Sequence, residues 1–152
     1  MKYFYLLILP ILLLISACTN ESGARMGLFT ATAPVYAILH DDLFTGETVG
    51  YLDRSGTIDI QSAIDPEIKC VGEFHYTGTK TGVASLLCND GAEAEIKFNA
   101  LTNLSGYGYG KSTRGPVSFT YGLTVEKSQQ YLKLPEGKKI DTSNEQPRLI
   151  EL

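Results

Sequence analysis

The stretch Ala92-Glu93-Ala94-Glu95-Ile96-Lys97-Phe98-Asn99-Ala100 alternates without a break: Ala92, Ala94, Ile96, Phe98 and Ala100 fall on one face, Glu93, Glu95, Lys97 and Asn99 on the other. A period of two with one apolar side is the signature of an antiparallel strand that packs on a core and shows its other face to water. Just upstream, Asn89-Asp90-Gly91 supplies the residues that tolerate positive φ in a tight hairpin turn. Residues 70 to 77 and 82 to 88 then read as a second hairpin centred near Thr79, a register that sets Tyr76 opposite Gly82, Phe74 opposite Ala84, Gly72 opposite Leu86 and Cys70 opposite Cys88.

The same reading extends both ways. Val35 to His40, Glu47 to Asp53 and Thr57 to Gln61 are short strands, the last two joined by a turn at Arg54-Ser55-Gly56. Ser62 to Lys69, with Asp65-Pro66, reads as a longer connection that could cross to another sheet. Leu104 to Lys111 and Pro116 to Leu123 pair across Ser112-Thr113-Arg114-Gly115. Val125 to Leu132 reads as a short helix, with a strand almost as good a fit, and 135–152 reads as a polar, loosely attached tail. About eight short strands with turn signals between them predict an antiparallel β-barrel or sandwich over residues 34–134. Fifteen glycines, nine tyrosines and no tryptophan agree with a turn-rich β protein.

The amino terminus reads differently. After Lys2 an apolar run from Tyr3 leads to Leu14-Ile15-Ser16-Ala17-Cys18. Counted to Ala17 the run is fifteen residues with Pro10 inside it, short of the about 20 that a membrane-spanning helix needs. This stretch resembles a bacterial lipoprotein signal peptide. The resemblance implies cleavage after Ala17, diacylglycerol on the Cys18 thiol and a lipidated tether over 18–33. Thr19 directly after the cysteine, where an aspartate would signal inner-membrane retention, favours the outer membrane, with the domain facing the periplasm or the cell surface. In that compartment disulfides persist, and lipid on Cys18 leaves Cys70 and Cys88 as an even pair that the register brings together. A bridge there would stabilise the fold by about 3 kcal/mol; two separate buried thiols are the alternative.

Cleavage leaves 135 residues, enough for one domain with its own core, carrying 12 basic and 17 acidic side chains for a formal charge of −5. Such a chain is poorly suited to nucleic acid. Gly110-Lys111-Ser112 ends like a phosphate-binding loop, but Ser105 stands where its first glycine is required and a turn follows where a helix should begin, which excludes a nucleotide site. No cofactor is called for. His40-Asp41-Asp42 lacks a further metal ligand at a recognisable spacing and reads as an exposed strand end. Tyr51 and Ser62 stand where a calcium loop built on Gly56 needs carboxylates.

Gly106, Gly108 and Gly110 share one strand face, leaving room for bulky side chains, and Tyr107, Tyr109 and Lys111 share the other. Tyr107 and Tyr109 are read first as core; exposed, and joined by Arg114, Phe119 and Tyr121, they would form a patch for a glycan or an envelope protein. A triad would have to draw its base from His40 or His75; Glu73 and His75 lie on one strand face and could serve an envelope hydrolase, but no complete catalytic set accompanies them.

The sequence therefore points to a lipid-anchored envelope protein whose small β domain binds or assembles rather than catalyses. A lysozyme inhibitor is an alternative by analogy of fold, since some lysozyme-inhibiting lipoproteins are small disulfide-containing barrels; a scaffold for envelope machinery is another. Mass spectrometry of the mature amino terminus should find an acylated Cys18 as the first residue. An unmodified Cys18 or a different first residue rejects the anchor.

Overall fold

The computed structural model describes residues 24–152, so the leader and Cys18 lie outside the described residues. Strand β1 (Arg25–Met26) is followed by eight strands in simple up-and-down order: β2 (Thr30–Leu39), β3 (Asp42–Tyr51), β4 (Ser55–Ser62), β5 (Lys69–Tyr76), β6 (Thr81–Cys88), β7 (Glu93–Thr102), β8 (Ser105–Ser112) and β9 (Gly115–Tyr121). Each pairs antiparallel with the next, and β9 returns to β2 with Val35 opposite Tyr121 and Leu39 opposite Val117. The sheet is thus a closed eight-stranded barrel, which settles the choice between barrel and sandwich. Closure leaves no long free edge. Where β2 runs past the end of β9, β1 pairs along it, Arg25 opposite Thr32 and Met26 opposite Ala31.

The register expected from the sequence holds: Tyr76 pairs with Gly82, Phe74 with Ala84, Gly72 with Leu86 and Cys70 with Cys88, and the two cysteines form a disulfide. Gly91 has φ 89°, the value a tight turn requires there. The 63–68 connection, in contrast, crosses nowhere. It is a wide hairpin loop between adjacent strands, held by Ser62 Oγ, which accepts from the backbone N–H groups of Ile64 and Asp65 at 3.1 and 3.0 Å. The β3–β4 turn lies at Leu52–Arg54 with Arg54 at φ 65°; Gly56 is already inside β4.

Inward-pointing residues fill most of the lumen. At the end that carries the disulfide, Leu39, Phe44, Cys70, Cys88, Ala92 and Val117 are all 4% exposed or less. Midway, aromatic rings lean over glycines of adjacent strands. Phe98 occupies the space beside Gly82, and a methyl group on that glycine would collide with its ring. Tyr121 lies across Gly106 in the same way, the room expected of that glycine, whereas Gly110 packs against the backbone of Glu95 and Ile96.

The carboxyl-terminal segment is not a loose tail. After the single helical turn α1 (Val125–Ser128), capped by Thr124, the chain forms a hairpin of β10 (Lys138–Asp141) and β11 (Arg148–Glu151). Leu132 and Ile140 are buried with Ile38 and Leu43 in a second apolar cluster on the outer barrel wall. The outward face of β9 is covered as well: Thr120 Oγ1 donates to Ser128 Oγ at 2.7 Å, both residues being fully buried, and Ser118 Oγ accepts from the Lys133 N–H at 2.9 Å. At the other end, strand begins at Arg25 and β2 at Thr30, so the body starts ahead of Pro34. Ile140→Ala, which empties a buried site in this outer cluster, should cost about 2–4 kcal/mol in urea unfolding; a loss below about 0.5 kcal/mol would mean that the hairpin is not docked.

Candidate functional site in the mouth of the barrel

The end opposite the disulfide is open. Here the β3–β4, β5–β6 and β7–β8 turns surround a cavity of about 990 Å³, with β1 and the 27–29 segment on the remaining side. An eight-stranded barrel has just enough interior to be filled by side chains or to hold one small ligand; this barrel is filled below and hollow above. The difference comes from residue size. On the β2–β3 side the inward positions near the mouth are Ala31, Ala33, Thr48 and Gly50, too short to reach the axis.

The floor is aromatic. Phe74, Tyr76, Phe98 and Tyr121 meet edge to face, with centroids 5.1 to 6.4 Å apart, a geometry that ring quadrupoles favour. The hydroxyls of Tyr76 and Tyr121 hydrogen-bond at 3.2 Å. Burial, and then the bond to Tyr76, push the Tyr121 phenol far above its ordinary range, so Tyr121 stays protonated and presents a neutral hydroxyl to the cavity.

One cation is built into the wall. Arg54 Nη2 donates to the carbonyls of Gly78 and Thr79 at 2.9 and 2.8 Å, tying the β3–β4 turn to the β5–β6 turn. Its guanidinium lies 4.5 Å from the centroid of the Tyr76 ring, within cation–π range. Lys80 is the second cation of the lining, and among the described residues no aspartate or glutamate lines the cavity. Among the described residues Arg54 has no carboxylate partner. An acidic protein thus carries a mouth whose described lining is basic, Asp53 standing outside the lining on the β3–β4 turn.

The residues singled out from the sequence are scattered. Tyr107 and Tyr109 are neither core nor an open patch: they sit half-buried on the outer wall, Tyr107 stacked on Tyr131 at 4.7 Å, and Tyr109 donating to the Tyr131 carbonyl at 2.8 Å beneath Lys133. Tyr121 points into the lumen, and Arg114 lies at the far end, paired with Asp90 at 2.6 Å. The four do not form one surface, because alternation sends Tyr107 and Tyr121 to opposite sides of the sheet and the hairpin places Arg114 at its other end. Glu73 and His75 are exposed on the outer wall, and among the described residues no ion pair joins them. Among the described residues, too, no three His, Cys, Asp or Glu side chains converge on a metal position. Arg54 and Lys80 were missed as site residues. Only their position at successive turns of one barrel end brings them together, which no local pattern announces.

His40-Asp41-Asp42 also departs from expectation. His40 and Asp41 occupy a two-residue turn at φ 53° and 60°, and both ring nitrogens of His40 are buried without a hydrogen-bond partner. Asp42 is partly buried beside it. Burial raises its carboxyl above the ordinary 3.8, against the opposing pull of hydrogen bonds from the Ser62 hydroxyl and the Leu43 backbone. A carboxyl with a raised folded value favours folding most when protonated, and that benefit is lost as pH rises through the folded value. Asp42→Asn should therefore raise the urea midpoint at pH 7, and the gain should vanish below about pH 4, where Asp42 is protonated in both states; a variant less stable than the parent at pH 7 refutes this. Compared with protein-family models, curated proteins and solved structures, the chain matches none of them.

Proposed function

We propose that this protein is a lipid-anchored lipoprotein of the bacterial envelope, outer membrane favoured, whose barrel binds a small amphiphilic molecule in its mouth. What carries the reading is the contrast within one lumen: packed at the disulfide end, and open at the other as a cavity of about 990 Å³ with apolar walls, an aromatic floor and basic charges in its lining. Ligand sites are concave, mainly apolar and supplied with a few fixed polar groups, and the mouth has each of these features. The apolar body of a ligand would displace water from Ala31, Ala33 and Phe74. An anionic or polar head would meet Arg54, Lys80 and the tyrosine hydroxyl pair. Nothing in the mouth is arranged as a nucleophile with its base, so binding rather than turnover is the activity proposed.

Arg54 is held in place before any ligand arrives, by two backbone carbonyls and the Tyr76 ring, which lowers the ordering cost of using it. Its position at the lip also makes the site selective. A neutral hydrocarbon would leave the guanidinium without a counter-charge, whereas a carboxylate, phosphate or sulfate head would supply one.

The purified mature protein should bind the anionic apolar dye anilinonaphthalene sulfonate at a single saturable site, and a single-chain fatty acid should displace it. Ala31→Trp, which fills the mouth from β2, should weaken dye binding about tenfold or more, the equivalent of about 1.4 kcal/mol, with the urea midpoint unchanged. Absence of saturable binding, or binding indifferent to the bulk at position 31, would remove the mouth as a ligand site.

A further inference from the structure

Scattered apolar side chains on a protein surface need no explanation, but a cluster does. Among the described residues, ten large hydrophobic side chains are exposed, and six of them, Met26, Leu28, Phe29, Tyr51, Leu52 and Leu101, stand on the rim of the mouth at 41% to 86% exposure. They come from three separate places in the chain: the entry segment, the β3–β4 turn and the end of β7. Among the described residues the opposite end carries three, Ile64 on a loop and Val71 paired with Leu87 on the outer wall near the ends of β5 and β6, and these do not ring an opening. Charge leans the same way. Arg25, Arg54 and Lys80 lie at the crowned end against Asp53, while Asp41, Asp65, Glu67 and Asp90 lie on the turns of the other against Arg114. A ring of apolar tips interleaved with cations is the composition that interfacial membrane segments use, apolar groups entering the headgroup and acyl boundary while Lys and Arg meet anionic lipid.

We infer that the crowned mouth docks face down on the surface of an anionic bilayer, so that the cavity opens toward lipid rather than toward water. The chain's own layout favours the bilayer as occupant. The entry segment sits at this end of the barrel, and Cys18 precedes the first described residue, Ala24, by six positions. Six residues reach at most about 21 Å when fully extended. A lipid on Cys18 therefore keeps Ala24, which precedes Arg25 on the mouth half of the barrel beside the start of β2, within about 21 Å of the membrane. The docking rests in this respect on the lipoprotein reading of Cys18, and it deepens the binding proposal: the molecule that enters the mouth comes from the membrane itself.

The absence of tryptophan from the chain makes the orientation directly readable. Leu52→Trp places a single indole on the crown, and Ile64→Trp places one at the opposite end; both positions are exposed and should tolerate the change. Mature protein purified from membranes is reconstituted in vesicles of phosphatidylcholine and phosphatidylglycerol with brominated acyl chains, and the mass of its amino-terminal peptide is measured on the same sample. The expected result is that the indole at position 52 loses about half its emission to the bromines while that at position 64 keeps nearly all of it. Quenching at 52 in protein that proves unacylated would support the docking and remove the anchor. No quenching at 52, or equal quenching at both positions, overturns the docking whatever the state of Cys18; with an acylated Cys18 the anchor would stand without it.

Discussion

The pairing of Val35–Leu39 with Val117–Tyr121 is the contact on which the rest of the molecule depends. Until it forms, the chain is a meander with two open edges and an apolar face that curls toward nothing. Once it forms, the interior has a set diameter, and every inward side chain must fit within it. That constraint explains the pairing of glycine with aromatic residues on neighbouring strands: Phe98 and Tyr121 can lie flat across the axis only because Gly82 and Gly106 leave the space beside them. The disulfide acts at the opposite end, joining directly opposed residues of β5 and β6 where the lumen is most tightly filled.

Closure also governs what happens outside the barrel. The outward residues of β9, Ser118 and Thr120, are polar, as a solvent-facing alternation would have them. They are nevertheless buried, because the carboxyl-terminal segment lies over them and supplies a partner for each hydroxyl. A buried hydroxyl left without a partner would cost more than the covering contact returns, so this segment can dock only in the register that places Ser128 and the Lys133 amide where they are. The apolar contacts of Leu132 and Ile140 with Ile38 and Leu43 hold it there.

The mouth follows from the same geometry. Small inward residues on β2 and β3 leave the lumen unfilled at one end, and the turns at that end carry the exposed apolar tips and the basic side chains. Arg54 links these features: it braces two turns through backbone carbonyls, covers the floor tyrosine and keeps a charge at the lip without a carboxylate to neutralise it. A cavity, a crown and a basic lining thus coincide at the end of the barrel where the entry segment lies.

The sequence by itself determined the strands, their antiparallel hairpins and the register of Cys70 with Cys88, because alternation and turn residues act over a few positions and are written locally. The 92–100 alternation and Asn89-Asp90-Gly91 suffice for β7 and its turn; the paired positions around Thr79 suffice for β5 and β6. What only the tertiary structure decided is everything that depends on closure: barrel over sandwich, the docking of residues 124–152, the fate of Tyr107 and Tyr109 beneath Tyr131, and the site itself. Val35 and Tyr121 lie more than eighty residues apart, and no local period announces that they pair. The mouth is assembled from Arg54, Lys80, Leu52 and Leu101, each an ordinary turn or strand-end residue where it stands. They become a site because a closed up-and-down barrel brings alternate turns to the same end.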